Sequence, residues 1–307
     1  MKSFHLLLLF STIVCAFAFK VNHEENKIIS APVLVVYPIA QQCEFRTYNY
    51  FEQILNTTSK CFEVGADSHW LIDRIFDVNV QGEKLCQKLY QDEAYKKGNF
   101  SIVAFSYGGM LGRYVLEYCD FEMPIRNFVT FGSPLNGVSA LPHTMDPDEE
   151  DKLSNPINDF IVTTINSVLN WLVNFDFFDR ILRSADFWRN PKNYSTFLKN
   201  SRFLAQANNE VNFDQTRKDK WMKLSNAMFI KFDHDTVIAP TESEWWGQYD
   251  EDYHVMTRQQ TRLYKEDLLG LKAIEQQGKV NYLSLPGDHM QFNFTQVYDY
   301  VIPLLRR

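Results

Sequence analysis

The sequence predicts an α/β fold with a mostly parallel central sheet and helices on both of its faces. Several short apolar runs alternate with helical patterns along the chain. Most of these runs are continuously apolar rather than alternating, which is typical of parallel strands buried on both faces. The repeated order of strand, helix and strand favours a doubly wound sheet. With 307 residues, the chain is long enough to bury the core that such a sheet requires.

The predicted strands are short and rich in β-branched and aromatic residues. They are Val33–Tyr37, Ser101–Phe105, Asn127–Phe131, Ala227–Phe232 and Lys279–Leu285. Helical spacing of apolar residues predicts the intervening helices Asn79–Tyr90, Gly109–Cys119 and Thr295–Leu305.

The interval from about Leu141 to Lys223 has no strand pattern but a strong helical one. Asn155 is a suitable helix cap, and Pro156 suits the first helical position. The following helix is apolar around more of its circumference than a surface helix needs. Aromatic residues follow it directly: Phe175, Phe177, Phe178, Phe187 and Trp188. This surface is either core packed against the sheet or a helical cap, about residues 141–223, that lines a groove for a long acyl chain.

Residues 1–18 have the pattern of a secretory signal peptide, with Lys2 before the apolar stretch Leu6–Val14 and a small-residue cleavage site at Ala16–Ala18. A membrane anchor is the alternative, but the apolar stretch is shorter than the ~20 residues that span a bilayer. We therefore expect one mature domain, residues 19–307, without a transmembrane segment.

A secretory route agrees with four Asn-x-Ser/Thr glycosylation sequons, at Asn56, Asn99, Asn193 and Asn293. Beyond the signal peptide four cysteines remain: Cys43, Cys61, Cys86 and Cys119. An even number in an oxidising compartment predicts two disulfides, with three possible pairings.

The composition excludes several functions. A net charge of −7 argues against nucleic acid as a partner, because a polyanion requires a basic surface. The sequence has no zinc-type Cys/His spacing and no phosphate-binding glycine loop. We therefore expect no metal and no organic cofactor.

The segment "SIVAFSYGGMLGRYV" has the pattern of a nucleophile elbow, in which a serine lies on a tight turn between a strand and a helix. Small residues must flank that turn, and here Ala104 and Gly108 stand two residues on either side of Ser106. Glycine is usual at the position of Ala104, so this serine is either a nucleophile in a slightly altered elbow or a serine in an ordinary turn.

A serine nucleophile needs a histidine base, and the histidine needs a carboxylate that orients it. Asp233 and Asp235 directly follow a predicted strand, and His289 follows the last predicted strand through a Pro-Gly turn. The order serine, acid, histidine is the order of this sheet architecture. The residues alone do not decide between the two aspartates.

The blocks "AFSYGG", "FDHDTVIAPTESEWWGQYD", "TRLYKEDLLGLKAIEQQGKV" and "PGDHMQFNFTQVYDYVIPLL" resemble the palmitoyl-protein thioesterase family, of lysosomal type, in the α/β-hydrolase superfamily. The resemblance runs from about Val33 to the C-terminus. It implies an α/β-hydrolase fold with a helical cap and the catalytic residues Ser106, Asp235 and His289. It also implies a Cys86–Cys119 disulfide, which leaves Cys43 to pair with Cys61.

The resemblance further implies an oxyanion hole in which the backbone N–H of Tyr107 acts with a donor from the loop after the first strand. That loop departs from the family's usual His-Gly pair and reads "VVYPIAQQC". Since Pro38 has no N–H, we assign the second donor to Ile39.

The activity implied is hydrolysis of long-chain acyl thioesters on S-acylated proteins or peptides, in the lysosome or after secretion. A secreted lipase or general esterase would use the same residues, and a silent acyl-binding protein could share the fold. The sequence does not indicate the acyl-chain length, the protein substrates or the oligomeric state.

Overall fold

The computed structural model describes residues 30–38, 42–64, 77–139 and 187–307. Its strands are β1 (Val33–Val36), β2 (Ser59–Cys61), β3 (Ser101–Phe105), β4 (Asn127–Phe131), β5 (Asn226–Phe232), β6 (Gln248–Tyr249), β7 (Val255–Met256) and β8 (Val280–Leu285). Six of them form one parallel sheet in the order β2-β1-β3-β4-β5-β8, and β6 pairs with β7 in a small antiparallel ribbon. Strand β1 thus lies beside the edge strand β2, and from β3 onward the strands follow in chain order to the opposite edge.

The described helices lie mostly in the crossovers between these strands. They are α1 (Phe45–Leu55), α2 (Val78–Gln91), α3 (Gly108–Tyr118), α4 (Tyr194–Asn200), α5 (Leu204–Ala207), α6 (Gln215–Met222), α7 (Arg262–Lys265), α8 (Leu271–Gln276), α9 (Phe294–Gln296) and α10 (Ile302–Leu305). A π-helical turn, Val297–Val301, joins α9 to α10, and 3₁₀ turns lie at Thr241–Trp245 and Arg258–Gln260.

The predicted strands and helices agree with the observed ones to within about one residue at their ends. The pattern does not predict α1 or β2, and β2 is a short edge strand of sequence Ser-Lys-Cys. Residues 187–223, which the structure describes, contain helices and no strand, as expected. The signal peptide and residues 141–186 of the predicted cap lie outside the described residues, so the cap as a whole stays a prediction.

The core has two layers because side chains on a strand alternate between the faces of the sheet. Ile102 and Ala104 of β3 pack on the face covered by α2 and α3. Val103 and Phe105 pack on the opposite face, against α1 and the C-terminal helix. All five residues of β3 are buried, which explains its continuous apolar sequence.

A buried polar network fixes α3 to the described segment after residue 187. The Arg113 guanidinium donates to Glu117 Oε1 at 2.8 Å and to Asn208 Oδ1 at 2.9 Å. The indole Nε1 of Trp221 also donates to Glu117 Oε1, at 3.1 Å. Arg113 and Glu117 are buried, so their pairing satisfies charges that would otherwise be costly to desolvate.

Two disulfides constrain one half of the sheet. Cys43, just before α1, is bonded to Cys61 at the end of β2, with Cα atoms 5.8 Å apart. Cys86 of α2 is bonded to Cys119 after α3, with Cα atoms 5.7 Å apart. No helix among the described residues is long and apolar enough to cross a membrane.

The double variant Cys86→Ala/Cys119→Ala should lower the free energy of unfolding by about 3–4 kcal/mol, because the disulfide closes a long loop in the unfolded chain. Urea denaturation of the non-reduced proteins measures this loss. Cys43→Ala/Cys61→Ala is the variant for comparison. Its free energy of unfolding should fall by about 3 kcal/mol, since the two cysteines are 18 rather than 33 residues apart. Unchanged stability of both variants would contradict the expectation.

Candidate active site

Ser106 lies on a sharp turn between β3 and α3. Its φ of +50° is in the left-handed region, which costs a non-glycine residue about 1–3 kcal/mol and persists only where the surroundings impose it. The Ser106 N–H donates to the Phe131 carbonyl of the neighbouring β4 at 2.7 Å, which holds the turn against the sheet. The side chain is therefore presented at the carboxyl edge of the central strands.

The residues around Ser106 are small because backbone lies against them. A Cβ on Gly108 would stand 2.4 Å from the carbonyl oxygen of Val36. Ala104 is fully buried and faces Gly112, where a Cβ would be 3.4 Å from the Ala104 methyl group. The methyl group of Ala104 packs in the core beside Gly112, and the serine turn forms although glycine is absent at position 104.

Three side chains from three loops meet at this edge. Ser106 Oγ is 2.8 Å from His289 Nε2. His289 Nδ1 is 2.6 Å from Asp235 Oδ2. This arrangement requires the tautomer in which Nδ1–H donates to the carboxylate and Nε2 accepts from the serine hydroxyl. It can remove the hydroxyl proton as Ser106 attacks a carbonyl carbon.

Asp235 and Asp233, the two candidates for the acid that orients His289, have different surroundings. Asp235 is buried, and its Oδ1 accepts from the backbone N–H groups of Val237 and Ile238, each at 2.8 Å. Burial opposes ionisation of Asp235, but the charge and hydrogen bond of His289 and the Ile238 N–H hold the pKa of Asp235 below its ordinary value. Asp233 is exposed and bonds instead to the hydroxyl of Ser284.

Asp288 joins the acid loop to the histidine loop. Its Oδ1 accepts from the Thr236 N–H at 2.8 Å and from the His289 N–H at 2.6 Å, and the Thr236 hydroxyl lies 3.0 Å from both carboxylate oxygens. The residue beside Asp235 and the backbone of His289 are thus held by one carboxylate. The sequence pattern does not identify Asp288 as a site residue, although its position next to His289 suggests that it lies near the site.

Gly132, directly after β4, allows the imidazole to approach the sheet. Its φ is +55°, and a Cβ there would lie 3.0 Å from His289 Cε1 and 3.2 Å from His289 Nδ1. Its N–H donates to the Ile230 carbonyl at 2.9 Å, so the backbone cannot easily move away. The sequence does not predict this role of Gly132, because a glycine directly after a strand is only a weak indication of a functional residue.

The predicted oxyanion donors are described in part. Tyr107 caps the start of α3 and its ring packs on Phe187, with centroids 4.9 Å apart. Gly108 at the start of α3 lies against the backbone of Val36 and Tyr37, where β1 ends. Ile39 lies outside the described residues. Both donor assignments stay predictions.

The four sequon asparagines differ in exposure. Asn56, Asn193 and Asn293 are exposed, and Asn99 is half-buried where the chain enters β3. Asn193 and Asn293 use Oδ1 as helix caps, which leaves Nδ2 for a glycan. Their glycosylation stays a prediction.

A cavity of about 450 Å³ lies apart from the three side chains, between residues 189–194, 248–251 and 260–266. Arg189, Glu210, Asp250, Arg262 and Glu266 contribute to its lining. Pro191, Tyr194, Tyr249 and Met256 also line it, so the lining combines charged and apolar groups. No group of His, Cys, Asp and Glu within the described ranges is placed to hold a metal ion.

A sequence model of the family described as palmitoyl protein thioesterase matches residues 32–289, a range that includes Ser106, Asp235 and His289. The chain belongs to the palmitoyl protein thioesterase family. The parallel sheet order and the serine turn give it the α/β-hydrolase fold that membership implies.

The individual relatives have low sequence identity to this chain. Palmitoyl-protein thioesterase 1 of Caenorhabditis elegans is 28% identical over 208 residues, which are 67% of this chain and 65% of the relative. Lysosomal thioesterase PPT2-B of Xenopus laevis is 28% identical over 188 residues, which are 61% of this chain and 60% of the relative. The chain thus spans slightly less than two thirds of the length of these relatives.

Among solved structures, 2-hydroxy-6-oxo-6-phenylhexa-2,4-dienoate hydrolase from a Rhodococcus species aligns at 12% identity and a TM-score of 0.45. The alignment covers 91% of this chain and 92% of that chain.

Gly132→Ala should lower kcat by about 100-fold, because the added methyl group displaces the His289 ring and small misplacements of a base are costly. Gly278→Ala is the matched control, since Gly278 also has a positive φ of +72° but nothing lies within 4 Å of its added Cβ. Steady-state kinetics and thermal unfolding should show a similar loss of stability in both variants and a loss of activity only in the first. Equal activities would contradict the role of Gly132.

Asp235→Asn should lower kcat by about 10⁴-fold, because an amide donates to Nδ1 and forces the tautomer that cannot accept the serine proton. Asp233→Asn removes the neighbouring exposed carboxylate and should leave kcat within about twofold of wild type. Kinetics of both variants with an activated acyl ester measure the difference. A large loss from Asp233→Asn alone would assign the acid to that residue.

Proposed function

We propose that this chain hydrolyses long-chain acyl thioesters, such as palmitoyl groups on the cysteines of proteins or peptides. The observation that carries the proposal is the continuous hydrogen-bonded series Ser106–His289–Asp235 within a chain of the palmitoyl protein thioesterase family. The relatives named as palmitoyl-protein and lysosomal thioesterases support the acyl thioester as substrate class.

In the first half of the proposed reaction, Ser106 Oγ attacks the thioester carbonyl carbon while His289 Nε2 takes its proton. The resulting oxyanion accepts hydrogen bonds from the backbone N–H groups of Tyr107 and Ile39, and each such donor is worth roughly 10²- to 10³-fold in rate. The C–S bond then breaks, and the departing cysteine sulfur takes the proton from His289. This step leaves an acyl ester on Ser106.

In the second half, water replaces the thiol. His289 removes a proton from the water as it attacks the acyl carbonyl, and the proton returns to Ser106 as the fatty acid leaves. Asp235 stays ionised throughout and stabilises the imidazolium, a role supported by the direction of its pKa shift. No step of this mechanism requires a metal or a cofactor.

The acyl chain needs an apolar groove, and we assign it to the cap predicted at residues 141–223. The cavity near Arg189 is a poor alternative, because none of Ser106, Asp235 and His289 lines it. The lysosome is the location supported by the lysosomal thioesterase relatives, and secretion by the same signal peptide is the alternative.

Wild-type protein should react with a fluorophosphonate probe and hydrolyse a palmitoyl-cysteine peptide, and Ser106→Ala should abolish labelling and lower kcat by about 10⁴-fold or more. Comparison of S-palmitoyl and O-palmitoyl forms of one peptide measures the preference for sulfur. Faster cleavage of the O-palmitoyl form would indicate an esterase or lipase instead. Absence of labelling in the wild type would indicate a silent acyl-binding protein.

A further inference from the structure

Glu244 is a buried carboxyl group beside the candidate triad. It lies on the 3₁₀ turn Thr241–Trp245 and is 0% exposed. The turn is anchored to the segment after β4, because Ser243 Oγ donates to the Gly137 carbonyl at 2.5 Å and accepts from the Asn136 N–H at 3.2 Å. Glu244 is therefore held in place by a rigid element.

The two oxygens of Glu244 have different surroundings. Oε2 accepts from the Phe232 N–H at 3.3 Å, at the end of β5. Oε1 is buried and accepts no hydrogen bond from any donor in the described part of the chain. Phe232 links the two acidic residues, because its N–H donates to Glu244 and its carbonyl accepts from the Asp235 N–H at 3.3 Å. The Asp235 and Glu244 carboxyl groups are near enough for each to influence the pKa of the other. One Glu244 oxygen is thus available to carry a proton.

Two buried carboxyl groups in contact cannot both be ionised without strong repulsion. The nearby cation, Lys231, is ion-paired with Glu242 at 3.3 Å on the same turn. Asp235 receives two backbone N–H groups and His289, which favour its ionised form, whereas Glu244 receives one longer bond. The shared proton therefore belongs to Glu244.

We propose that Glu244 is a positioning residue that stays protonated and donates a hydrogen bond from its carboxyl group to Asp235. Burial, and then the negative charge of Asp235, raise the pKa of Glu244 well above its ordinary value, which agrees with this arrangement. With this donor, Asp235 has a partner on each side and presents Oδ2 to His289 in one orientation. The positioning role rests on the proposed function, but the protonation of Glu244 does not.

Infrared difference spectroscopy tests the protonation without a substrate. The spectrum of wild type minus Glu244→Gln at neutral pH should contain the carbonyl stretch of a protonated carboxylic acid. The band should persist well above the pH at which an ordinary glutamate ionises, because burial and Asp235 raise the pKa of Glu244. Glu242→Gln, which removes the half-exposed carboxylate of the same turn, should leave the band unchanged. Absence of the band from wild type, or its loss in Glu242→Gln, would overturn the proposal.

Kinetics test the positioning. Glu244→Gln keeps an acceptor for Phe232 and a donor for Asp235, so its kcat should stay within about threefold of wild type. Glu244→Leu removes both groups and should lower kcat by about 10- to 100-fold with little change in KM, the range expected for one hydrogen bond to a charged group. An equal loss of kcat in the Gln and Leu variants would overturn the role as a donor.

The two measurements separate this inference from the proposed function. If the wild type hydrolyses neither thioester nor ester while the infrared band is present, the proposed function fails and the protonated Glu244 stands. If the wild type is active and the band is missing, the inference about Glu244 fails alone.

Discussion

The candidate site depends on the buried hydrogen bond between His289 Nδ1 and Asp235 Oδ2. That bond determines which nitrogen carries the proton, and it leaves Nε2 as an acceptor 2.8 Å from the Ser106 hydroxyl. Because Asp235 is buried, its charge acts on the imidazole with little screening by solvent. The cost of holding that charge inside the protein is offset by backbone N–H groups and by the neighbouring carboxyl group of Glu244.

The parallel sheet makes this bond possible. Strands β3, β5 and β8 run in the same direction, so the loops that carry Ser106, Asp235 and His289 leave the sheet at one edge. Residues far apart in the chain can then meet without long excursions. Strand β4 lies between β3 and β5 and contributes the Phe131 carbonyl that holds Ser106 and the glycine that admits His289.

The residues around the site fix positions more than they supply reactivity. Asp288 joins the acid loop to the histidine loop, and the turn bearing Glu244 is tied to the segment after β4. The substrate groove is a separate matter. It is proposed for the predicted cap, about residues 141–223, in a different part of the chain from Ser106, Asp235 and His289.

The sequence pattern predicts the strands, the main crossover helices and the order of the candidate serine, acid and histidine, because apolar periodicity and turn residues act locally. Edge strand β2 is not predicted, because its three residues are too few to show a pattern of apolar residues. The resemblance selected Asp235, and only the tertiary structure explains why Asp233 does not compete, being exposed and bonded to Ser284.

Tertiary structure alone decided the places of Gly132, Asp288 and Glu244. Gly132 and Asp288 act through contacts with distant segments, such as the hydrogen bond between Thr236 and Asp288 across 52 residues. Glu244 instead approaches Asp235 within the segment that follows β5. A local pattern records which side chains a segment buries, but it does not record which distant segment packs against them. The proposed protonation of Glu244 follows from its position beside Asp235, because burial and a second carboxylate both favour the neutral form of a carboxyl group.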